Sequence, residues 1–251
     1  MSESGSYYIP HGSKWPIIAT IGVFTSMVGG SSLLNGNDSG KYILAIGLAI
    51  VIFMMVGWFS TVVSESEKGM YDDQVDTSFR WGMIWFIFSE VMFFAAFFGA
   101  LFYVRTYSLP WLGGEGTGLP TNTFLWPEFE NVWPNTGNGP GEVGGAFQTM
   151  GAWGLPAINT AILLTSGVTL TWAHHALKEM KRMQLIIGLG LTVALGAIFM
   201  YLQALEYGHA FNDLNLNMGS GIYGSTFFML TGFHGFHVMM GGFMLAIMLA
   251  R

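Results

Sequence analysis

The 251 residues contain no cysteine, which excludes disulfides and every metal or cluster site built on thiolate ligands. Charge is scarce as well: Asp, Glu, Lys and Arg make up 10% of the chain, against 52% apolar residues and a mean hydropathy of +0.49. Such a balance cannot coat a water-soluble globule of this length, so lipid is the expected solvent. With nine Lys and Arg in all and a net charge of −6, the chain has no basic face to offer nucleic acid. The stretch from Met1 to Trp15 lacks the basic run, short apolar core and small-residue cleavage site of an export signal, so the first apolar segment is expected to be retained.

What is present fits a bilayer. Aromatic residues reach 16% and glycine 35 copies, as expected where rings sit at interfaces and helices pack closely. A hydrocarbon core of about 30 Å needs about 20 helical residues. Apolar stretches of that length lie near 16–34, 41–63, 80–106, 152–177, 184–206 and 222–250. The sequence therefore predicts an all-α, polytopic bundle of six spans within a single transmembrane domain, 1–251. A charged segment, Ser64 to Arg80, separates the second span from the third, so the first two can form a layer of their own. The stretch 107–150, rich in Gly, Pro, Asn and Trp, keeps no period of 3.6 or 2 and is expected to be an extramembrane loop.

If the spans alternate, one side holds Lys14, Lys68, Arg80, Lys178, Lys181, Arg182 and Arg251, and the other only Lys41 and Arg105. The positive-inside rule then places the N-terminus in the cytoplasm and the long loop in the periplasm. No internal repeat or inverted pair of broken helices of the transporter kind is present.

Few side chains can carry chemistry. Glu90 lies near the middle of the third span, with Phe86, Phe93, Phe94 and Phe97 as its helical neighbours. Ionised at that depth, a carboxylate costs at least about 2.5–3.5 kcal/mol on insertion scales. A neutral acid is therefore expected, either hydrogen-bonded to another helix or lining a proton, ion or lipid path. His234 and His237 share one face of the sixth span. They read as interhelical hydrogen-bonding groups or as the start of a metal site, for which His174, His175, Glu206 and His209 offer no distinctive further ligands. His174 and His175 lie with Lys178, Lys181 and Arg182 as an interfacial anchor. Glu206 and Tyr207 close the fifth span, where a solvated or hydrogen-bonded terminal carboxylate is the default.

The strings around these residues are more specific than their chemistry. Arg80-Trp81-Gly82-Met83, Ser89-Glu90-Val91-Met92-Phe93-Phe94 and Leu155-Pro156-Ala157-Ile158-Asn159-Thr160 come first. Thr171-Trp172-Ala173-His174-His175, Leu202-Gln203-Ala204-Leu205-Glu206-Tyr207, Tyr223-Gly224-Ser225-Thr226-Phe227-Phe228 and Thr231-Gly232-Phe233-His234-Gly235-Phe236-His237 follow. In this order, across roughly residues 7–251, they resemble the successive motifs of subunit III of the haem-copper cytochrome c oxidases, bacterial type.

The resemblance implies a seven-helix subunit whose first two helices lean away from the rest, leaving a V-shaped cleft that holds phospholipids. The chain stops at Arg251, where the family continues into its last helix. The family's membrane carboxyl falls on Glu90, its lipid-facing Trp on Trp58 and its lipid-phosphate Arg on Arg251. Basic residues that the family carries just after that Trp are replaced by Phe59 and Val63. The implied role is that of a non-catalytic subunit of a proton-pumping oxidase: it would stabilise subunit I, hold lipid, and support proton uptake and oxygen access. Haem and copper would belong to its partners, subunits I and II, which exchange electrons with cytochrome c. Two other readings compete. In a quinol oxidase the matching subunit lacks the first two helices, so the two spans before Arg80 speak against it. An independent proton or ion transporter relaying through Glu90 would have to function alone.

Overall fold

A computed structural model describes residues 12–135 and 145–250. Its helices are α1 (Trp15–Leu34), α2 (Gly40–Glu67), α3 (Asp73–Tyr103), α4 (Leu109–Leu112), α5 (Leu119–Leu125), α6 (Leu155–Lys178), α7 (Arg182–Asn212) and α8 (Gly221–Ala250). No strand occurs among the described residues. Among the described residues six helical stretches are long and apolar enough to cross a membrane; five contain an expected span whole, and the fourth, Leu155–Lys178, begins three residues into the expected 152–177. Large apolar side chains face outward all along them, among them Phe24 and Val168 at 69% exposure each. In water that surface would be unstable; in a bilayer it meets hydrocarbon.

The helices outrun the hydropathic segments. α2 continues to Glu67 and α3 already begins at Asp73, so most of the charged segment is helical. Charge ends a membrane span but not a helix. Asp72 accepts a hydrogen bond from the Val75 amide at 2.8 Å, capping α3. Arg80 then reaches Asp76 one turn back, with Nη2 at 2.7 Å from Oδ2. Residues 107–125 are also more helical than their composition suggests, because α3 runs on through one π-turn, Val104–Ser108, into α4, and α5 follows.

The chain forms two compact units, Met1–Ile87 and Phe88–Arg251. In the first, α1 and α2 form an antiparallel hairpin. Its seam is set by residues seven apart, Gly22 and Gly29 on α1 and Gly40, Gly47 and Met54 on α2, all buried. That is the spacing of helices running side by side over a long distance. A Cβ on Gly29 would run into the Leu44 backbone, and one on Gly47 into Ser26, so the two backbones touch where only glycine fits. Trp15 closes the far end: its indole Nε1 donates to Thr61 Oγ1 at 3.1 Å and its ring meets Phe53 edge-on.

In the second unit α6 and α7 form another antiparallel hairpin. Here the buried seven-residue series is partly polar: Asn159, Ser166 and Ala173 on α6, and Thr192, Phe199 and Glu206 on α7. Thr169 and Thr192 share a hydrogen bond of 2.7 Å, and Asn159 Nδ2 donates to Gln203 Oε1 at 3.4 Å. The turn between them has no glycine. Met180 takes φ +57° instead, while the Lys181 and Met180 amides bond back to Ala176 and Leu177, the hydrogen-bond pattern of a Schellman cap. α8 packs on α7 through Tyr207, whose hydroxyl bonds Thr231 Oγ1 at 2.6 Å, and through Phe211 stacked on Phe228. The turn from α7 to α8 is pinned by residues 145–150, where Phe147 joins a core with Ala210, Leu216 and Phe228.

Candidate functional site

Three side chains from two helices meet in the second unit. α3 carries Glu90 and α8 carries His234 and His237, whose three-residue spacing turns both imidazoles to one face. His237 Nδ1 lies 2.8 Å from Glu90 Oε1 and His234 Nδ1 lies 3.2 Å from Glu90 Oε2. Each ring thus lies beside its own carboxyl oxygen, and His234 is hydrogen-bonded to it. Apolar rings surround the group: Phe94 meets His234 edge-on at 5.2 Å, and Phe93 lies against Phe97 and Phe233.

Counting protons defines what the group can do. The hydrogen bond between His234 Nδ1 and Glu90 Oε2 needs one hydrogen. The imidazole can donate it to a carboxylate, or a carboxylic acid can donate it to the imidazole. The cluster is therefore built to hold a proton in either of two places. His234 is hydrogen-bonded across to α3 and His237 stands beside the other carboxyl oxygen, so the ring-lined acid has polar neighbours that its own helix does not supply. Among the described residues no group of three or more His, Asp or Glu side chains is placed to hold a metal ion.

A cavity of about 320 Å³ adjoins this cluster, lined by Phe94, Asn159, Gln203, Glu206, Thr231 and His234 among others. Glu206 differs from its expected setting. α7 runs on to Asn212, so Glu206 is not a terminal carboxylate in solvent but sits on the packed seam, 6% exposed. Hydropathy falls there while helical hydrogen bonding continues. His209 and Asp213 form an exposed pair at 2.6 Å one turn further on.

The remaining expected residues lie apart. His174 and His175 are on the last turns of α6 with their rings 6.2 Å from each other. Nearby, Lys181 pairs with the exposed Glu179 at 2.7 Å, and its ammonium holds that carboxyl below the usual carboxylate range. Trp58, 49% exposed, stacks on Phe59 in the first unit. Arg251 lies outside the described residues.

Comparison with known proteins decides the kinship. The model of a family described as cytochrome c oxidase subunit III matches residues 5–119 and 123–251. The chain belongs to the cytochrome c oxidase subunit III family. Proteins named cytochrome c oxidase subunit 3 resemble it over nearly its whole length. The one from Lumbricus terrestris is 40% identical over 246 residues, covering 98% of this chain and 83% of the relative. That from Prototheca wickerhamii is 38% identical over 246 residues, covering 98% and 82%. That from Struthio camelus is 36% identical over 250 residues, covering 99% and 84%.

Neither a quinol oxidase subunit nor a separate transporter is favoured by these matches. As a cytochrome c oxidase subunit III, the chain is a multi-pass membrane component of an oxidoreductase complex. The spacing of polar residues along α6 and α7 was the one sequence signal for the second carboxyl: Asn159 and Ser166, like Thr192 and Glu206, recur at seven and fourteen residues.

Proposed function

We propose that this chain is the non-catalytic third subunit of a proton-pumping oxidase, in which Glu90 with His234 and His237 forms a protonatable group that tunes proton uptake and oxygen access. The observation that carries the reading is the pairing of each Glu90 oxygen with its own imidazole. A membrane-embedded carboxyl is costly, and imidazoles beside both of its oxygens give its proton somewhere to go.

On this reading haem and copper reside in partner subunits I and II, which take electrons from cytochrome c, while this chain stabilises subunit I. Trp58 and Arg251 anchor phospholipid. The indole suits the headgroup level and the guanidinium binds phosphate bidentately. On the same reading the chain lies in a bacterial inner membrane, and the excess of Lys and Arg after alternate spans supports an N-terminus on its cytoplasmic side. The test is Glu90→Gln in the purified complex. Oxygen reduction persists, while proton uptake or durability in turnover changes. A fully assembled Gln variant without activity refutes the reading.

A further inference from the structure

The cavity beside the Glu90 cluster contains an acceptor that an apolar occupant cannot satisfy. Asn159, on α6, is 3% exposed, and its Oδ1 accepts a hydrogen bond from none of the described residues. Glu206, on α7, lines the same space and is 6% exposed. An acyl chain there would leave a buried carbonyl unpartnered and a carboxyl desolvated, which is unfavourable for both groups. Water satisfies both, and about 320 Å³ holds several molecules at roughly 30 Å³ each.

The lining also joins two carboxyls. His234 is at once a wall of the cavity and a partner of Glu90 through Nδ1, which leaves Nε2 as the ring's remaining nitrogen. Glu206 is one turn from the exposed His209–Asp213 pair. The geometry points to a proton line inside this subunit, running from Glu206 through water in the α6–α7–α8 cavity to His234 and on to Glu90. This rests on the reading of Glu90 as a proton-exchanging group.

The steps balance without any redox partner. Glu206 takes a proton from the His209–Asp213 end and releases it to the adjacent water. Each water along the cavity accepts one proton and gives one up. At His234 a proton enters at Nε2 while another leaves Nδ1 for the Glu90 carboxylate, and ring rotation or the reverse step restores the starting tautomer. One proton moves and no electron does. His237 and Tyr207 are further titratable groups beside the route: His237 Nδ1 lies 2.8 Å from the second Glu90 oxygen, and Tyr207 bonds Thr231. α6 contributes no charged side chain to the cavity lining.

Gly235 supplies the decisive variant. It is buried on α8 and lines the cavity, yet a Cβ there meets nothing within 4 Å. Gly235→Leu therefore places hydrocarbon in the water space while leaving both carboxyls in the chain. The experiment is infrared spectroscopy of the intact complex on transfer to heavy water, following the carboxyl band that Glu90→Gln removes. Gly235→Leu and Glu206→Gln each slow exchange of that band about tenfold or more, because proton transfer is left to rare local opening of the bundle. Glu206→Asp retains a carboxyl on the route and restores much of the rate. Exchange at the unmodified rate in both Gly235→Leu and Glu206→Gln overturns the line and leaves the reading of Glu90 standing. If Glu90→Gln removes no protonated-carboxyl band, the reading of Glu90 falls and the line falls with it.

Discussion

His234 Nδ1 lies 3.2 Å from Glu90 Oε2 although 144 residues separate the two in the chain, and the Nδ1 of His237, one turn on, lies 2.8 Å from the other oxygen. Glu90→Gln keeps the volume and most of the hydrogen bonding, so assembly and most oxygen consumption should survive. Glu90→Ala leaves two imidazoles without their partner, a loss of roughly 1–3 kcal/mol, and should lower the temperature at which the complex dissociates. Equal thermal stability of the Ala and Gln variants would show that the pairing is not structural.

The α1–α2 seam gives a second test, with a built-in control. Gly29 faces the Leu44 backbone, whereas a Cβ on its neighbour Gly30 meets nothing within 4 Å. Gly30→Ala should be neutral or raise stability by up to about 1 kcal/mol through helix propensity. Gly29→Ala forces the helices apart and should cost about 1–3 kcal/mol. Protease sensitivity of the α1–α2 turn in detergent separates the two, and identical cleavage rates would contradict the close packing.

Lipid retention can be measured directly. If Arg251 binds a phosphate, Arg251→Ala should release tightly held anionic phospholipid from the purified complex, as counted by mass spectrometry. Trp58→Ala should reduce total bound lipid less selectively, since an indole contributes apolar contact at the interface rather than charge. An unchanged lipid count in both variants argues against this anchoring.

Separation from its partners should leave the subunit without stoichiometric iron or copper. The chain has no thiolates, and the described histidines that come together satisfy Glu90 instead of forming a ligand set. Elemental analysis of the isolated chain is the check, and a metal retained one-to-one would overturn it.

The sequence by itself determined the all-helical class, the six membrane-spanning stretches and the position of Glu90 on one of them, because apolar length and the cost of a charge in lipid act locally along the chain. Helix ends were less legible. Glu67, Asp73 and Asn212 extend their helices past the apolar runs, since backbone hydrogen bonding does not stop where hydropathy does. The partners of each polar group were decided only by the tertiary structure. Nothing in the order of residues states that Glu90 faces His234 and His237, or that Asn159 meets Gln203, since those meetings depend on helix rotation and register. Rotation and register follow in turn from packing contacts such as Gly188 on Ala173 and Phe211 on Phe228. A burial that reads as a helix end in one dimension, as at Glu206, becomes a cavity wall once three helices close around it.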